Sequence, residues 1–365
     1  MTKSSTSLAI CSGAVNNIVM TSPPLPRIAH IMAGAARGGA ELFFERLSVA
    51  QHRQGYPVRA FIRPDAARAA RLEAEHVALS QLRFHRHLTY LTRQHLKKKL
   101  TTYRPDIAVA WMNRAARATP RGPWALVGRL GGYYDLKNYR HCDALIGNTR
   151  GLVTWMTQKG WPRDKVFYLP NFAKDFSDVP PQRPNFIPAN VPFLLAMGRL
   201  HPNKGFDVLI RALQDVPRAH LVIAGEGPAR DALQDVARQC GVTSRVHLPG
   251  WLSDTGPFLR ACDIFICSSR IEPLGNIVIE ALSAGRPVIA GDIQGPAEIL
   301  RGTEDGLLAE SENPHDFSLK INDLLDDSDK AHAIAFKGRQ RYEREFSALT
   351  VLAQWDRFFQ QMRPR

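Results

Sequence analysis

Short apolar runs recur along this chain, and between them apolar side chains return every three or four positions. The runs Ile28–Met32, Val58–Ile62 and Ile107–Trp111 are too short for helices and show little alternation with polar residues. Such runs read as strands buried on both faces of a parallel sheet. The runs 124–127 and 144–146 read as later strands, and a helix follows Gly38-Gly39-Ala40-Glu41 to about Arg53. Strands alternating with helices predict a parallel α/β domain. The pattern then lapses over 170–192, which contains Pro180, Pro181, Pro184, Pro188 and Pro192. So many prolines without periodicity predict a linker. Five further runs follow at Phe193–Met197, 221–224, 246–248, Ile264–Cys267 and 288–290, with helical segments between them. The stretch 331–359 is predicted to be amphipathic and helical. The chain therefore divides into a tail at 1–26, a first Rossmann-like domain at 27–175 and a linker at 176–192. A second Rossmann-like domain follows at 193–345. A last helix at 346–365 can return to the first domain. Two doubly wound halves in succession predict a ligand in a central cleft, at the carboxyl ends of the strands.

The length of 365 residues suits two domains, each with its own core. No run of about 18 apolar residues is present to span a bilayer. The first 26 residues are polar and end in prolines, without the basic start and apolar stretch of a secretory signal. They read as a disordered tail, with Met20 an alternative start to Met1. The five cysteines, Cys11, Cys142, Cys240, Cys262 and Cys267, are odd in number and scattered. That argues against a disulfide framework or a zinc site and points to reducing cytoplasm.

Charge changes the picture only when the chain is halved. Residues 1–175 hold 27 Lys+Arg against 10 Asp+Glu, or +17; residues 176–365 hold 21 against 24, or −3. The first half thus attracts anionic partners: phosphorylated glycolipid, anionic membrane or nucleic acid. Within it, segment 83–104 mixes basic residues with Phe84, Leu88, Tyr90, Leu91, Leu96 and Leu100. This is either a basic amphipathic surface resting on anionic membrane or a core-packed helix with a solvated basic face.

The densest chemical signal is Glu272-Pro273-Leu274-Gly275-Asn276-Ile277-Val278-Ile279-Glu280. A strand ends just before it, and a helix begins near Gly275. Free backbone N–H groups at a helix start face an anion, and a glycine there lets a ligand approach the backbone. Leu274, Gly275 and Asn276 then form the turn that meets a diphosphate. Glu280 can accept hydrogen bonds from a ribose diol, and Glu272 can hold hydroxyls of a transferred sugar. The competing reading is a solvated helix start with a favourable dipole. Arg199 and Lys204 follow the first strand of the second domain and can neutralise a diphosphate, Arg as a planar fork and Lys as a point charge. An ordinary basic loop would look the same.

The two glutamates, separated by seven residues, resemble the signature of the family-4 retaining glycosyltransferases, also called glycosyl transferases group 1. The resemblance continues through Ala281-Leu282-Ser283-Ala284-Gly285-Arg286-Pro287-Val288-Ile289-Ala290 and Gly295-Pro296-Ala297-Glu298-Ile299. It also covers Gly198-Arg199-Leu200-His201-Pro202-Asn203-Lys204-Gly205, Gly225-Glu226-Gly227-Pro228 and, near the start, Gly38-Gly39-Ala40-Glu41. Each motif is weak alone; their order and spacing are specific. The resemblance implies a GT-B fold and a metal- and cofactor-independent transfer of a hexose from a nucleotide-diphosphate sugar. Arg199 and Lys204 then bind the donor phosphates and stabilise the leaving group. Gly38 and Gly39 lie under the phosphates, while Gly225 and the loop at Trp251 hold the base. Tight turns explain those glycines equally well. Glu41 reads as a first-turn helix carboxylate rather than a catalyst.

One departure stands out. Many relatives carry a histidine at the end of a middle strand of the first domain. Here the strand 124–128 leads to Arg129, then to Leu130-Gly131-Gly132-Tyr133-Tyr134-Asp135. Arg129 becomes the candidate for sugar or acceptor, with Asp135 orienting it; His141 is expected at the base of the next strand. The family mechanism, in which the leaving phosphate takes the acceptor's proton, does not need the histidine. Asp326-Asp327-Ser328-Asp329 reads as an exposed turn, not a metal site. The resemblance and charge together imply an anionic acceptor, such as lipopolysaccharide core or another surface glycan. They imply a cytoplasmic enzyme, peripheral on the inner membrane, without nucleic acid as partner. Two other readings stay open: a basic nucleic-acid-binding protein, though zinc-finger and RNP patterns are missing, and a non-transferase GT-B enzyme such as a nucleotide-sugar epimerase.

Overall fold

The computed structural model describes residues 24–36, 38–85, 89–300 and 304–363. Among them the strands form two parallel sheets. The first contains β1 (Ile28–Met32), β2 (Val58–Ile62), β3 (Ala78–Gln81), β4 (Ile107–Trp111), β5 (Ala125–Leu130), β6 (Ala144–Gly147) and β7 (Val166–Tyr168). The second contains β8 (Phe193–Met197), β9 (His220–Ala224), β10 (Val246–Gly250), β11 (Ile264–Cys267), β12 (Val288–Gly291) and β13 (Leu307–Ala309). Their orders are β3-β2-β1-β4-β5-β6-β7 and β10-β9-β8-β11-β12-β13. Each sheet therefore reverses its strand order beside its own first strand, and that is where an open α/β sheet leaves a crevice. Two such Rossmann-like domains make a GT-B fold.

Helices α1 (Gly39–Arg53), α2 (Ala66–Ala74), α3 (Thr89–Tyr103), α4 (Met112–Ala118) and α5 (Arg150–Gln158) flank the first sheet. Around the second lie α6 (Phe206–Ala212), α7 (Arg230–Gln239), α8 (Gly256–Ala261), α9 (Asn276–Ser283), α10 (Gln294–Leu300), α11 (Pro314–Asp326) and α12 (Ser328–Arg341). The last helix, α13 (Ala348–Met362), follows a π-turn at Tyr342–Phe346. Strand residues alternate between the two faces. Ile28 and Met32 join Phe43, Phe44 and Trp111 on one side of the first sheet, and Ala29 and Ile31 join Leu96 and Leu100 on the other. In the second sheet Leu194 and Ala196 oppose Phe193, Leu195 and Met197 in the same way.

The centre of β1 is a fully buried histidine, His30. The indole N–H of Trp111 donates to His30 Nδ1 at 3.1 Å, and His30 Nε2 faces Gln51 Oε1 at 2.7 Å. This arrangement needs a neutral ring with its proton on Nε2. Burial lowers the His30 pKa from 6.5 to about 4, against the hydrogen bond it donates to Gln51.

The chain crosses between the domains twice, and the crossings touch. Ala173 N–H donates to Phe346 O at 3.3 Å, and the Tyr342 hydroxyl donates to Ala173 O at 3.2 Å. After the second crossing α13 packs Val351, Trp355, Phe358 and Phe359 into the first domain's core. Tyr56 donates to Asp356 there at 2.9 Å. In the stretch 176–192, Phe176 and Ile187 are buried in the second domain's core.

Several boundaries differ from the sequence pattern. The strand expected at 124–127 runs from Ala125 to Leu130, so Arg129 lies within it rather than after it. The helical stretch expected over 331–359 divides into α12, the π-turn and α13, because Ser347 is extended and caps α13 by accepting from Thr350 N–H at 3.3 Å. The sequence pattern gives no strand at β3, β7 or β13, whose runs are too short to stand out. They are four, three and three residues long, and their pairing partners supply the structure. Asp327 of the acidic turn caps α12, and Asp326 pairs with Arg218. Of the tail 1–26, residues 1–23 lie outside the described residues, as do Arg86, His87 and Leu88 of the basic segment.

Candidate active site between the domains

In the second domain, the loops after β8 and β11 are knitted together. The turn Pro202–Lys204 ends at Gly205, whose φ is 61°. A Cβ there would stand 2.0 Å from the Ser268 carbonyl oxygen, so only glycine fits. Ser268 Oγ donates to Lys204 O at 3.1 Å, and Arg270 N–H donates to Asn203 O at 2.8 Å. The Arg270 guanidinium grips Asp207 through two bonds of 2.8 Å and reaches Glu312 at 2.5 Å. Held this way, Lys204 Nζ forms a charge-assisted hydrogen bond to the Glu272 carboxylate. Arg199 is exposed in the same loop.

Helix α9 starts beside this pair. Gly275 precedes it with a φ of 97°, a left-handed conformation that suits glycine. Leu274 is buried beneath the turn. Asn276 spans the domains: its Oδ1 accepts from Asn171 Nδ2 at 2.7 Å, and its Nδ2 lies 3.5 Å from Gly39 O. A Cβ on Gly39 would stand 2.9 Å from Asn276 Nδ2. Gly39 therefore permits the first domain's loop to meet the start of α9. One turn further, Glu280 Oε1 accepts from Arg46 of α1 at 3.3 Å. Arg46 also donates to Phe172 O at 3.1 Å. Burial raises the Glu280 pKa, and Arg46 opposes that shift.

The first domain's glycine loop is occupied by its own carboxylate. Ala35 N–H donates to Glu41 Oε1 at 2.8 Å. A Cβ on Gly34 would stand 2.2 Å from one Glu41 oxygen, and a Cβ on Gly38 would stand 2.4 Å from the other. Gly38 thus makes room for Glu41, while Gly39 faces the second domain. Arg129 is almost fully buried, with its guanidinium 4.9 Å from the Phe43 ring centre and 4.5 Å from that of Trp111. Burial pulls its pKa down to about 9, against the influence of Tyr134. It donates to Asn171 Oδ1 at 2.6 Å. A relay Arg129–Asn171–Asn276 thus runs from β5 to the start of α9. Asp135 is exposed and pairs with Lys137 at 2.6 Å, outside this relay. His141 sits in the turn before β6, with Nε2 3.0 Å from Ala116 O.

Gly225 has a φ of 151°, and a Cβ on it would lie 1.9 Å from Gly198 O. Its N–H donates to Gly250 O at 2.8 Å. Its lack of a side chain thus lets the loops after β8, β9 and β10 pack. Trp251, next in line, is 59% exposed.

The structure therefore brings Lys204, Glu272, Gly275, Asn276, Glu280 and Gly39 to one interface. Arg46 and Asn171 escaped the sequence reading, and Glu298 appeared there only within a family motif, without a role. Glu298 of α10 accepts the backbone N–H groups of Arg150 at 2.5 Å and Gly151 at 2.9 Å, where α5 begins. Nothing local marks the roles of these three, because each acts across the domain boundary.

The family model for glycosyl transferases group 1 matches residues 181–341. The chain is 33% identical over 319 residues to the lipopolysaccharide core biosynthesis glycosyltransferase LpsE of Rhizobium meliloti (strain 1021), covering 85% of this chain and 92% of that one. It is 31% identical over 331 residues to the lipopolysaccharide core biosynthesis glycosyltransferase LpsD of the same organism, covering 89% and 95%. Its fold is similar to that of Anabaena HepE in complex with UDP, with a TM-score of 0.79, 21% identity, and coverage of 92% of this chain and 100% of that one. On this sequence likeness across nearly the whole chain, and with two facing Rossmann-like domains, the protein belongs to the group 1 glycosyltransferases.

Proposed function

We propose that the protein is a retaining, family-4 glycosyltransferase that moves a hexose from a nucleoside-diphosphate sugar to a glycan or glycolipid of the lipopolysaccharide core or another surface polysaccharide. The observation that carries this reading is the meeting of Lys204, Glu272 and the start of α9 with Gly39 of the opposite domain. In this reading the donor diphosphate lies against the first-turn N–H groups of α9, with Lys204 and Arg199 neutralising its charge. Those contacts strengthen as negative charge builds on the departing diphosphate, so they lower the barrier. Glu272, oriented by Lys204, holds hydroxyls of the transferred hexose. Glu280 accepts from the ribose hydroxyls, and its burial makes those donors welcome. The anomeric C–O bond to the diphosphate breaks and the electron pair leaves with the phosphate. The acceptor oxygen bonds to the same face of the anomeric carbon, and its proton passes to a leaving phosphate oxygen. Lys204, Arg199 and the helix start supply the positive charge that a metal would otherwise bring.

The UDP complex of HepE supports a nucleoside-diphosphate site in this fold, and the names of LpsE and LpsD support a lipopolysaccharide-core acceptor. An anionic membrane surface as partner is supported by α3. Its outer face carries exposed Tyr90 and Leu91 near Lys97, Lys98 and Lys99. In this reading the enzyme works at the cytoplasmic face of the inner membrane.

A thermal-shift screen with UDP, GDP, dTDP, ADP and CMP tests the donor site, because ligand binding to the native state raises apparent stability. One selective nucleotide should raise Tm, and the matching sugar nucleotide should then donate its hexose with retained anomeric configuration by NMR, in EDTA as in its absence. No shift with any nucleotide on folded protein would overturn the reading.

A further inference from the structure

The first domain holds a cavity of about 690 Å³ between the turn Leu136–Tyr139 and α5. Five cations line it, Arg121, Lys137, Arg140, Lys159 and Lys165, together with the indole rings of Trp155 and Trp161. Its one carboxylate, Asp135, already pairs with Lys137 at 2.6 Å. The cavity therefore carries a surplus of positive charge next to flat apolar rings. An anionic sugar needs both: its C–H face packs on an indole, and its carboxylate or phosphate pairs with Arg and Lys.

The cavity's position says what such a sugar belongs to. Tyr134 lines it and also lines a second cavity of about 300 Å³, which opens at the carboxyl ends of β1, β2 and β4. Arg63, Asn113 and Arg114 line that second cavity beside Gly34 of the glycine loop. Asn113 Oδ1 is buried there without a hydrogen-bond partner. Met112, also in its wall, is held at a φ of 60°, a strained conformation of the kind that gathers at functional sites. Tyr134 thus stands between the strand-end cavity and the larger basic cavity as their common wall.

We propose that the cavity between the Leu136–Tyr139 turn and α5 is a remote acceptor subsite that binds an anionic sugar of the acceptor glycan, while the reacting hydroxyl lies at the strand ends. This rests on the transferase reading above, and it names a substrate class: an oligosaccharide acidic at a residue away from the transfer point. The acidic group is a carboxylate or a phosphate.

Calorimetric titration of the full chain, with UDP added at saturation, tests this. The probes are tri-galacturonate, a phosphorylated maltotriose and neutral maltotriose. Wild type should bind one or both anionic probes, more weakly as salt rises, and maltotriose at least tenfold less well. Which anionic probe binds distinguishes carboxylate from phosphate. The double variant Lys159→Ala/Lys165→Ala and the single variant Trp161→Ala should each weaken that binding about tenfold, the first by losing one or two charge-assisted contacts and the second by losing the indole face. The thermal shift given by UDP should stay at its wild-type value in both, which shows that they fold. Undiminished binding in both variants, equal binding of maltotriose, or no binding to wild type overturns the subsite. So does preference for an oligonucleotide through the same residues. If UDP fails to bind wild type while tri-galacturonate still binds through Lys159 and Trp161, the donor reading falls and the anionic-sugar site stands.

Discussion

The two domains share one strand order and use it differently. In both sheets the order reverses beside the first strand, at β1/β4 and at β8/β11. In the first domain the loop after β1 closes on Glu41, whose carboxylate fills the space left by Gly34 and Gly38. In the second domain the loop after β8 closes on backbone, through Gly205 and Ser268, and leaves Lys204 to meet Glu272. One crevice is thus plugged by its own anion, and the other presents a cation and a helix start. The centres of the first strands differ too: His30 in β1, Leu195 in β8, both fully buried. Topology decides where a site can be. In the proposed reading, the loop side chains decide which domain takes the anionic donor and which is left for the acceptor.

The comparison can be broken at several points. The largest effect is expected at Trp355, which is fully buried and belongs to the first domain's core although it lies in the last helix. Trp355→Ala should cost roughly 3–5 kcal/mol. In a thermal scan the loss should fall on the first domain, with nucleotide-induced stabilisation of the second retained. An unchanged first transition would mean that α13 is not part of that core.

Lys204→Ala should lower kcat about 100- to 1,000-fold at saturating donor, the range seen when one donor to a developing anion is removed. Near-normal turnover would remove the second domain's claim to the leaving group. Because Lys204 also orients Glu272, Lys204→Arg should recover only part of the loss.

Acid should separate the domains next. Folded His30 stays neutral down to about pH 4, whereas the unfolded chain takes up its proton near 6.5. Its contribution is therefore complete above pH 6.5 and is lost as pH falls towards 4. The loss is at most about 3 kcal/mol, from 1.36 kcal/mol per pH unit. His220 and His247 of the second domain are lowered as well, but they are only partly buried. Thermal scans between pH 7 and 4 should show the steeper slope in the first domain, and His30→Gln should flatten it. Parallel slopes would deny the role of the Gln51–His30–Trp111 network.

Glu280→Ala should weaken nucleotide binding about tenfold or somewhat more, as when a charged hydrogen-bond acceptor is lost. Unaltered binding by calorimetry would leave Glu280 as a partner of Arg46 alone. The smallest change is expected at Glu298→Gln, which removes the charge opposite the α5 N-terminus while keeping the side chain's size. A cost of about 0.3–1 kcal/mol follows from the helix dipole, read as a slight loss of cooperativity between the two thermal transitions.

Much of this molecule was written locally. Mostly apolar runs such as Phe193–Met197 can be satisfied only as strands covered on both faces, and Gly275 before Asn276 marks a helix start by backbone conformation alone. Those are interactions within a few residues, so sequence spacing reports them. The double-domain plan and the Glu272–Glu280 helix start follow from such spacing, and the basic first half from a count of charges along the chain. The rest depended on how two finished domains face each other. Arg129 looked like a residue beyond a strand end; burial between Phe43 and Trp111 turned it into a support for Asn171 and Asn276. Arg46 meets Glu280 across 234 positions, and Glu298 meets Arg150 across 148. Tyr134 became the wall between two cavities only once α5 and the strand ends were in place. A local pattern carries the preferences of a segment for water, helix or strand. It carries no information about which distant polar group will be left needing a partner when the segments close, and that remainder is what the tertiary structure decided.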